Sequence, residues 1–327
     1  PNLKVRYLVF GALASAEAKA DFGTNAIVST LHSLAYFYEV THSNPKRYLP
    51  SKRPYISWQD IPKYIKRPFG IDFESIQLVD AYCNSYHTDF PSYVREIDSL
   101  AELPTTVSVV KLASDLMDLM YLGKMPCTHA FYLKVFYINL LNNNITLPQT
   151  DMLLIDEVQD VSPITVEIIK KFPAKVKVLV GDEHQAIFSW MGTINAFNTY
   201  PEATRLSLSN TFRVNKPDAR KIEKFMQKFV DPDIVFNGTD HMSPLPKNPT
   251  QAYITRTNGA LIGKMIELGK ANIPYHLATK GKIEQMFKLP LSIAYTKPGP
   301  DLRISDPAYD IQHAVNEWAA NPVLHKQ

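Results

Sequence analysis

Cysteine is scarce in this chain, with two in 327 residues, Cys83 and Cys127. So few thiols in so long a chain argue against a disulfide scaffold and fit a reducing compartment. No apolar run approaches the roughly 18–20 residues that a membrane-spanning helix needs. The opening residues, Pro1 to Arg6, carry no signal-peptide pattern. Internal repeats and low-complexity tracts are also absent. These absences predict an intracellular protein, cytoplasmic or nuclear, with no membrane partner. The net charge of +3 selects no ligand class, and the 45% hydrophobic and 20% charged fractions are those of a soluble globular protein. The length predicts two domains or three.

The chain opens on Pro1 rather than Met, and a strand candidate, Tyr7 to Phe10, follows almost at once. That pattern predicts a cut made inside a domain. An alanine-rich helix follows over Ala12 to Ala20, then a strand over Ala26 to Thr30, the start of an open parallel sheet. The character changes near Ser43. Residues 45–70 hold five prolines, and Lys46 to Arg67 holds seven Lys or Arg against one acid, Asp60. Tyr48, Tyr55, Trp58 and Tyr64 are interleaved, a composition suited to phosphate contact and base stacking, or else to a solvated basic loop. Helical stretches are expected at Val107 to Tyr121 and His129 to Leu141, within an insertion over residues 37–147.

Two buried strands are expected next. Asp151 to Ile155 runs out into Asp156 and Glu157, and Lys175 to Val180 runs out into Gly181 and Asp182. The helix Ser162 to Phe172 joins them into a βαβ unit, whose ligands bind at the carboxyl ends of the strands. Further on, a helix over Lys216 to Phe229, a surface connection over residues 231–250, a strand over Gln251 to Thr255 and a helix over Ala260 to Ala271 are expected.

The chemistry concentrates at the two strand ends. Phosphate hydrolysis assisted by Mg²⁺ needs one anion to fix the metal and a second to orient and deprotonate the attacking water. Asp156 and Glu157 supply that pair, and an isolated acidic pair also suits a solvated loop. Gln185 is a polar group placed to reach a γ-phosphate. Phe188 and Trp190 offer faces on which bases stack, although aromatics at this spacing also serve a core.

Taken in order, these segments resemble superfamily 1 helicases of the UvrD/Rep/PcrA group, and within it the F-box DNA helicases. Asp156 to Asp160 has the DExQD form of motif II, and Gly181 to Gly192 is similar to motif III. Leu208 to Arg213 is similar to motif IV, and Ile254 to Asn258 to a strand of the second motor domain. Leu8 to Phe10 with Ser29 to Tyr36 is similar to motif Ia and its continuation. The resemblance implies an α/β fold. A RecA-like P-loop NTPase sheet (residues 1–36 and 148–212, domain 1A) would be interrupted by a helical 1B-like insertion (37–147). The start of a second RecA-like domain, 2A-like, would follow (213–327).

The resemblance also implies ATP and Mg²⁺ as cofactors, single-stranded or partly duplex DNA as partner, and 3′ to 5′ translocation driven by ATP hydrolysis. It puts Asp156 on the Mg²⁺, makes Glu157 the base, and sets Gln185 and Arg213 at the γ-phosphate. Thr30, His32, Phe188, Trp190 and Arg256 would line the DNA path. The sequence departs from the family at Gly11, Leu31, Phe188 and Met191, where Asn, Phe, Tyr and Arg are usual. No G-x-x-x-x-G-K-[ST] occurs: the Gly-Lys pairs at Gly123, Gly263, Gly269 and Gly281 lack the rest of that cradle. Motifs V and VI are not found after residue 290. The expectation is the middle portion of a helicase, with hydrolysis belonging to the longer parent. A non-hydrolysing nucleic-acid-binding remnant, or an unrelated NTPase acting as a protein-interaction switch, are the alternatives.

Overall fold

The structure, a computed structural model, describes residues 3–9, 11–39, 49–50, 58–65, 71–100, 103–186, 193–240, 251–255 and 257–276. The chain divides into two compact units, Pro1–Ser207 and Leu208–Gln327.

The first unit is built on a parallel sheet of four strands: β1 (Val5–Val9), β2 (Ala26–Thr30), β5 (Thr150–Ile155) and β6 (Ala174–Leu179), in the order β2-β1-β5-β6. Parallel neighbours need crossover connections. Helix α1 (Ala12–Phe22) serves β1 to β2, and α7 (Pro163–Lys171) serves β5 to β6. Val9 pairs with Thr30, Leu8 with Ile155, and Ile155 with Leu179, so all four strands end along one edge. Successive side chains on a strand face opposite ways. Leu8, Leu153 and Ile155 therefore join one core with Ile164 and Ile168 of α7. Val9 and Val28 pack on the other face, with Ala18 of α1.

Among the described residues between β2 and β5 lie α2 (Leu31–Tyr36), a two-residue parallel pair β3 (Leu49–Pro50) with β4 (Pro126–Cys127), a 3-10 helix (Trp58–Lys63) and four longer helices. These are α3 (Asp72–Asn84), α4 (Phe90–Leu100), α5 (Val107–Tyr121) and α6 (His129–Leu141); α5 and α6 have the limits read from the sequence. Their buried residues, among them Leu78, Leu116, Leu133 and Phe136, are continuous with the sheet core. The helical stretch is therefore not a separately cored body: burying its apolar stripes and one face of the sheet is a single event. Lys134 of α6 is buried at 2% exposure, with Nζ donating to the carbonyls of Ser85 and His87 at 2.7 Å each and lying 4.3 Å from the Tyr82 ring centroid. It thereby satisfies carbonyls left over just beyond the end of α3.

The expectation of two buried strands holds for β5 alone. None of the six residues of β6 is buried. Among the described strands β6 is an edge with one neighbour, and Lys175 and Lys177 place two cations on one of its faces.

The second unit contains β7 (Asn210–Asn215), α8 (Lys216–Phe229), β8 (Asn237–Thr239) and α9 (Asn258–Lys270), with β7 parallel to β8. Two expectations fail here. Gln251 to Thr255 is not a strand, and Ile254 is 96% exposed, so β propensity finds nothing to pack against. The connection 231–250 contains β8, a strand of three residues that its polar composition did not suggest. Gly238 makes that strand possible: a Cβ there would lie 2.5 Å from the Asn215 carbonyl oxygen and 2.7 Å from Lys216 N.

Candidate active site

The end of β5 is pinned from both neighbouring strands. Asp156 N donates to Leu8 O at 3.1 Å, and Val158 N donates to Val180 O at 3.1 Å. The half-buried Asp156 carboxylate accepts from the Tyr7 hydroxyl at 2.6 Å on Oδ2 and from Glu157 N at 3.0 Å on Oδ1. Burial first, and then the bond to Asp156, pushes the Tyr7 phenol well above the usual tyrosine range, so Tyr7 is a donor here. Alternation puts Tyr7 and Asp156 on the same face of the sheet, beside α1; the Tyr7 ring meets Phe22 edge-on at 5.3 Å.

Glu157 turns the chain sharply. Its backbone is left-handed (φ 53, ψ 43), which a non-glycine residue adopts at a cost of about 1 kcal/mol or more. The turn leads into a 3-10 turn, Val158–Asp160, whose residues are all buried, while Glu157 itself stays exposed.

Gln159, at 3% exposure, links the ends of β5 and β6. Its Nε2 donates to Glu157 Oε2 at 2.7 Å, and its Oε1 accepts from Asp182 N at 3.2 Å. The glycine at 181 leaves room for this amide: a Cβ there would lie 2.4 Å from Gln159 Oε1. Beyond it, Asp182 accepts from His184 N at 2.9 Å and from Gln185 Nε2 at 2.7 Å. Asp156, Glu157 and Gln185 thus lie at the ends of adjacent strands, tied together by Gln159 and Asp182. Tyr7 was missed as a site residue, because its partner is 149 residues away. Gln159 was noted only as part of a motif.

Thr30, at the end of β2, caps α2: its Oγ1 accepts from Ser33 N at 3.0 Å, and the two hydroxyls also bond each other. His32 is half-buried between aromatic neighbours, 5.8 Å from the His129 ring and 6.3 Å from that of Tyr132. Burial, and then the proximity of His129, lowers its pKa to about 4, so the ring is neutral at pH 7. Arg213 stands exposed on β7 of the second unit, its backbone N donating to Thr211 Oγ1 at 3.2 Å. Phe188, Trp190 and Arg256, together with most of the basic stretch 46–67, lie outside the described residues.

Mg²⁺ is a hard cation that takes oxygen ligands and keeps several waters. Each Asp156 oxygen accepts one hydrogen bond and retains a lone pair. Among the described residues no group of three or more His, Cys, Asp or Glu forms a cage. A single carboxylate sharing the ion with phosphate oxygens and water fits this donor set. No helix among the described residues is long and apolar enough to cross a membrane.

Comparison with known proteins supports the resemblance to UvrD-like helicases. Residues 111–202 match the family model of the UvrD/REP helicase N-terminal domain, a span holding Asp156 to Asp160 and Gly181 to Gly192. The chain is similar to F-box DNA helicase protein 1 of Schizosaccharomyces pombe, 28% identical over 302 residues, covering 82% of this chain and 34% of that protein. It is also similar to F-box DNA helicase 1 of Gallus gallus, 38% identical over 63 residues, which is 19% of this chain and 6% of that protein. The chain thus spans about a third of the yeast relative's length at most.

Proposed function

Starting from a UvrD-like chain of the superfamily 1 helicase type, we propose that it forms motor machinery of an ATP-driven DNA helicase that moves 3′ to 5′ on single-stranded DNA. The observation that carries this reading is the junction of the β5 and β6 ends, where Asp156, Glu157 and Gln185 converge through Gln159 and Asp182. Carboxyl ends of parallel strands are where α/β sheets bind ligands, and a carboxylate pair with a neutral amide is the equipment phosphoryl transfer to water needs.

In this reading Asp156, oriented by the Tyr7 hydroxyl, holds the metal. Mg²⁺, when bound, neutralises charge on the phosphate oxygens. Glu157, exposed and held by the Gln159 amide, orients the attacking water and takes its proton. Gln185 senses the γ-phosphate, and the motif that holds Arg213 supports a charge-stabilising role for this arginine. Residues 1–36 and 148–212 act as the first motor domain, 37–147 as its insertion, and residues from 213 onward as part of the second. Thr30, His32, Phe188, Trp190 and Arg256 border the DNA, with His32 contributing a neutral ring rather than a charge. The DNA helicases to which the chain is similar support DNA as the polymer.

The test is ATP hydrolysis by the full-length protein with and without single-stranded DNA, for the natural sequence and for Glu157→Gln. Stimulation by DNA, lost in the variant while DNA binding persists, is expected. A protein that binds DNA but hydrolyses no ATP would instead be a binding remnant, and the motor reading would fall.

A further inference from the structure

We propose that Gln159 is a positioning residue for hydrolysis: its buried amide fixes the Glu157 carboxylate and the Asp182 backbone in one frame, so that the base and the Gln185 loop are presented as a unit. The inference rests on the hydrolytic reading of this site and adds to it the device that aims the base.

Three features carry it. Glu157 is exposed, and without a partner its side chain would sample many rotamers; Gln159 Nε2 holds one of its oxygens at 2.7 Å. The donor is neutral. It holds the Glu157 carboxylate by a directional bond without placing a second charge beside it. Finally, the amide cannot turn over, because its Oε1 is held by Asp182 N at 3.2 Å, and turning would set oxygen against the Glu157 carboxylate. The space for this arrangement is reserved in the backbone: any side chain at 181 would start 2.4 Å from Gln159 Oε1. Asp182 in turn holds Gln185, so a displacement at either strand end is transmitted to the other.

The experiment is steady-state ATP hydrolysis by the full-length protein in saturating single-stranded DNA, for Gln159→Leu, Gln159→Glu and Gly181→Ala, with the folded fraction of each measured by circular dichroism. Gln159→Leu is expected to lower kcat about tenfold to a hundredfold, the scale of a small misplacement of a catalytic group. KM for ATP and the DNA affinity are expected to stay within about twofold, as for an interaction made only on the way to the transition state. Gln159→Glu keeps the acceptor for Asp182 N but turns the donor into a repelling charge, so it is expected to be the more damaging of the two. Gly181→Ala, which leaves Gln159 in the sequence but displaces its amide, is expected to reproduce the loss of kcat. Variants with unchanged kcat, or with losses that follow only the folded fraction, overturn the positioning role while leaving the hydrolytic reading intact. A natural protein that hydrolyses no ATP overturns both.

Discussion

The Tyr7 hydroxyl donates to Asp156 Oδ2 at 2.6 Å, joining the side chains of two adjacent central strands across a sequence separation of 149 residues. One phenol thereby ties the folding of the sheet to the aim of a carboxylate at its edge. Tyr7→Phe removes this charge-assisted bond and little else. It is expected to cost about 1–2 kcal/mol of stability, given that both groups are only half-buried. Urea unfolding of Tyr7→Phe, Asp156→Asn and the double variant checks this. Losses that simply add would mean the two residues do not interact.

His32 makes stability depend on acid. Its folded pKa, about 4, lies below its unfolded value of about 6.5. Above pH 6.5 both states are neutral and the group contributes no slope. Between pH 6.5 and 4 the unfolded chain takes up a proton that the folded chain refuses, so stability falls as pH falls, by about 2–3 kcal/mol in all. His129, whose pKa is also lowered by burial, acts in the same direction. Denaturant midpoints at pH 7 and pH 5 should converge for His32→Phe. If the variant loses as much as the natural protein over this interval, His32 is not the source.

Lys134 is the buried cation whose loss is expected to be most costly in the helical region. Lys134→Met keeps the apolar stem but abandons the carbonyls of Ser85 and His87. A loss of about 2–4 kcal/mol is expected. A thermal midpoint unchanged by the substitution would mean that water or a neighbour satisfies those carbonyls without cost.

Gly238 tests the second unit. A methyl group there would overlap the backbone at Asn215 and Lys216. Gly238→Ala is expected to destabilise the β7–α8–β8 unit by about 1–3 kcal/mol, as overpacking against backbone does. Hydrogen exchange should show faster opening over Asn210–Phe229 than over α5 or α6. Unchanged exchange in β7 would argue that the parallel pairing with β8 does not hold this unit.

Single-stranded DNA binding by the chain is expected to weaken with salt and to drop by roughly 1–3 kcal/mol in Trp190→Ala. Fluorescence anisotropy at two salt concentrations reads both effects. Salt-independent binding, or a variant that binds like the natural chain, removes Trp190 from the DNA path.

Much of the first unit was legible along the chain because its signals are local. An apolar run ending in Asp156 and Glu157 marks a strand that delivers carboxylates to an edge, and the apolar spacing of Val107–Tyr121 and His129–Leu141 marks the helices that form there. The order of the motifs was readable in the same way. Gln251 to Thr255 and Asn237–Thr239 were misread in opposite senses. A short strand is decided by what lies beside it, and composition is silent on that. The strand order β2-β1-β5-β6, the merging of the helical core with one face of the sheet, the meeting of Tyr7 with Asp156 and the bridge from Gln159 to Asp182 belong to the tertiary structure alone. Each depends on contacts between segments far apart in sequence, and these are selected by burying both faces of the sheet at once. Periodicity along one strand or helix says which face is apolar, but not which partner will cover it.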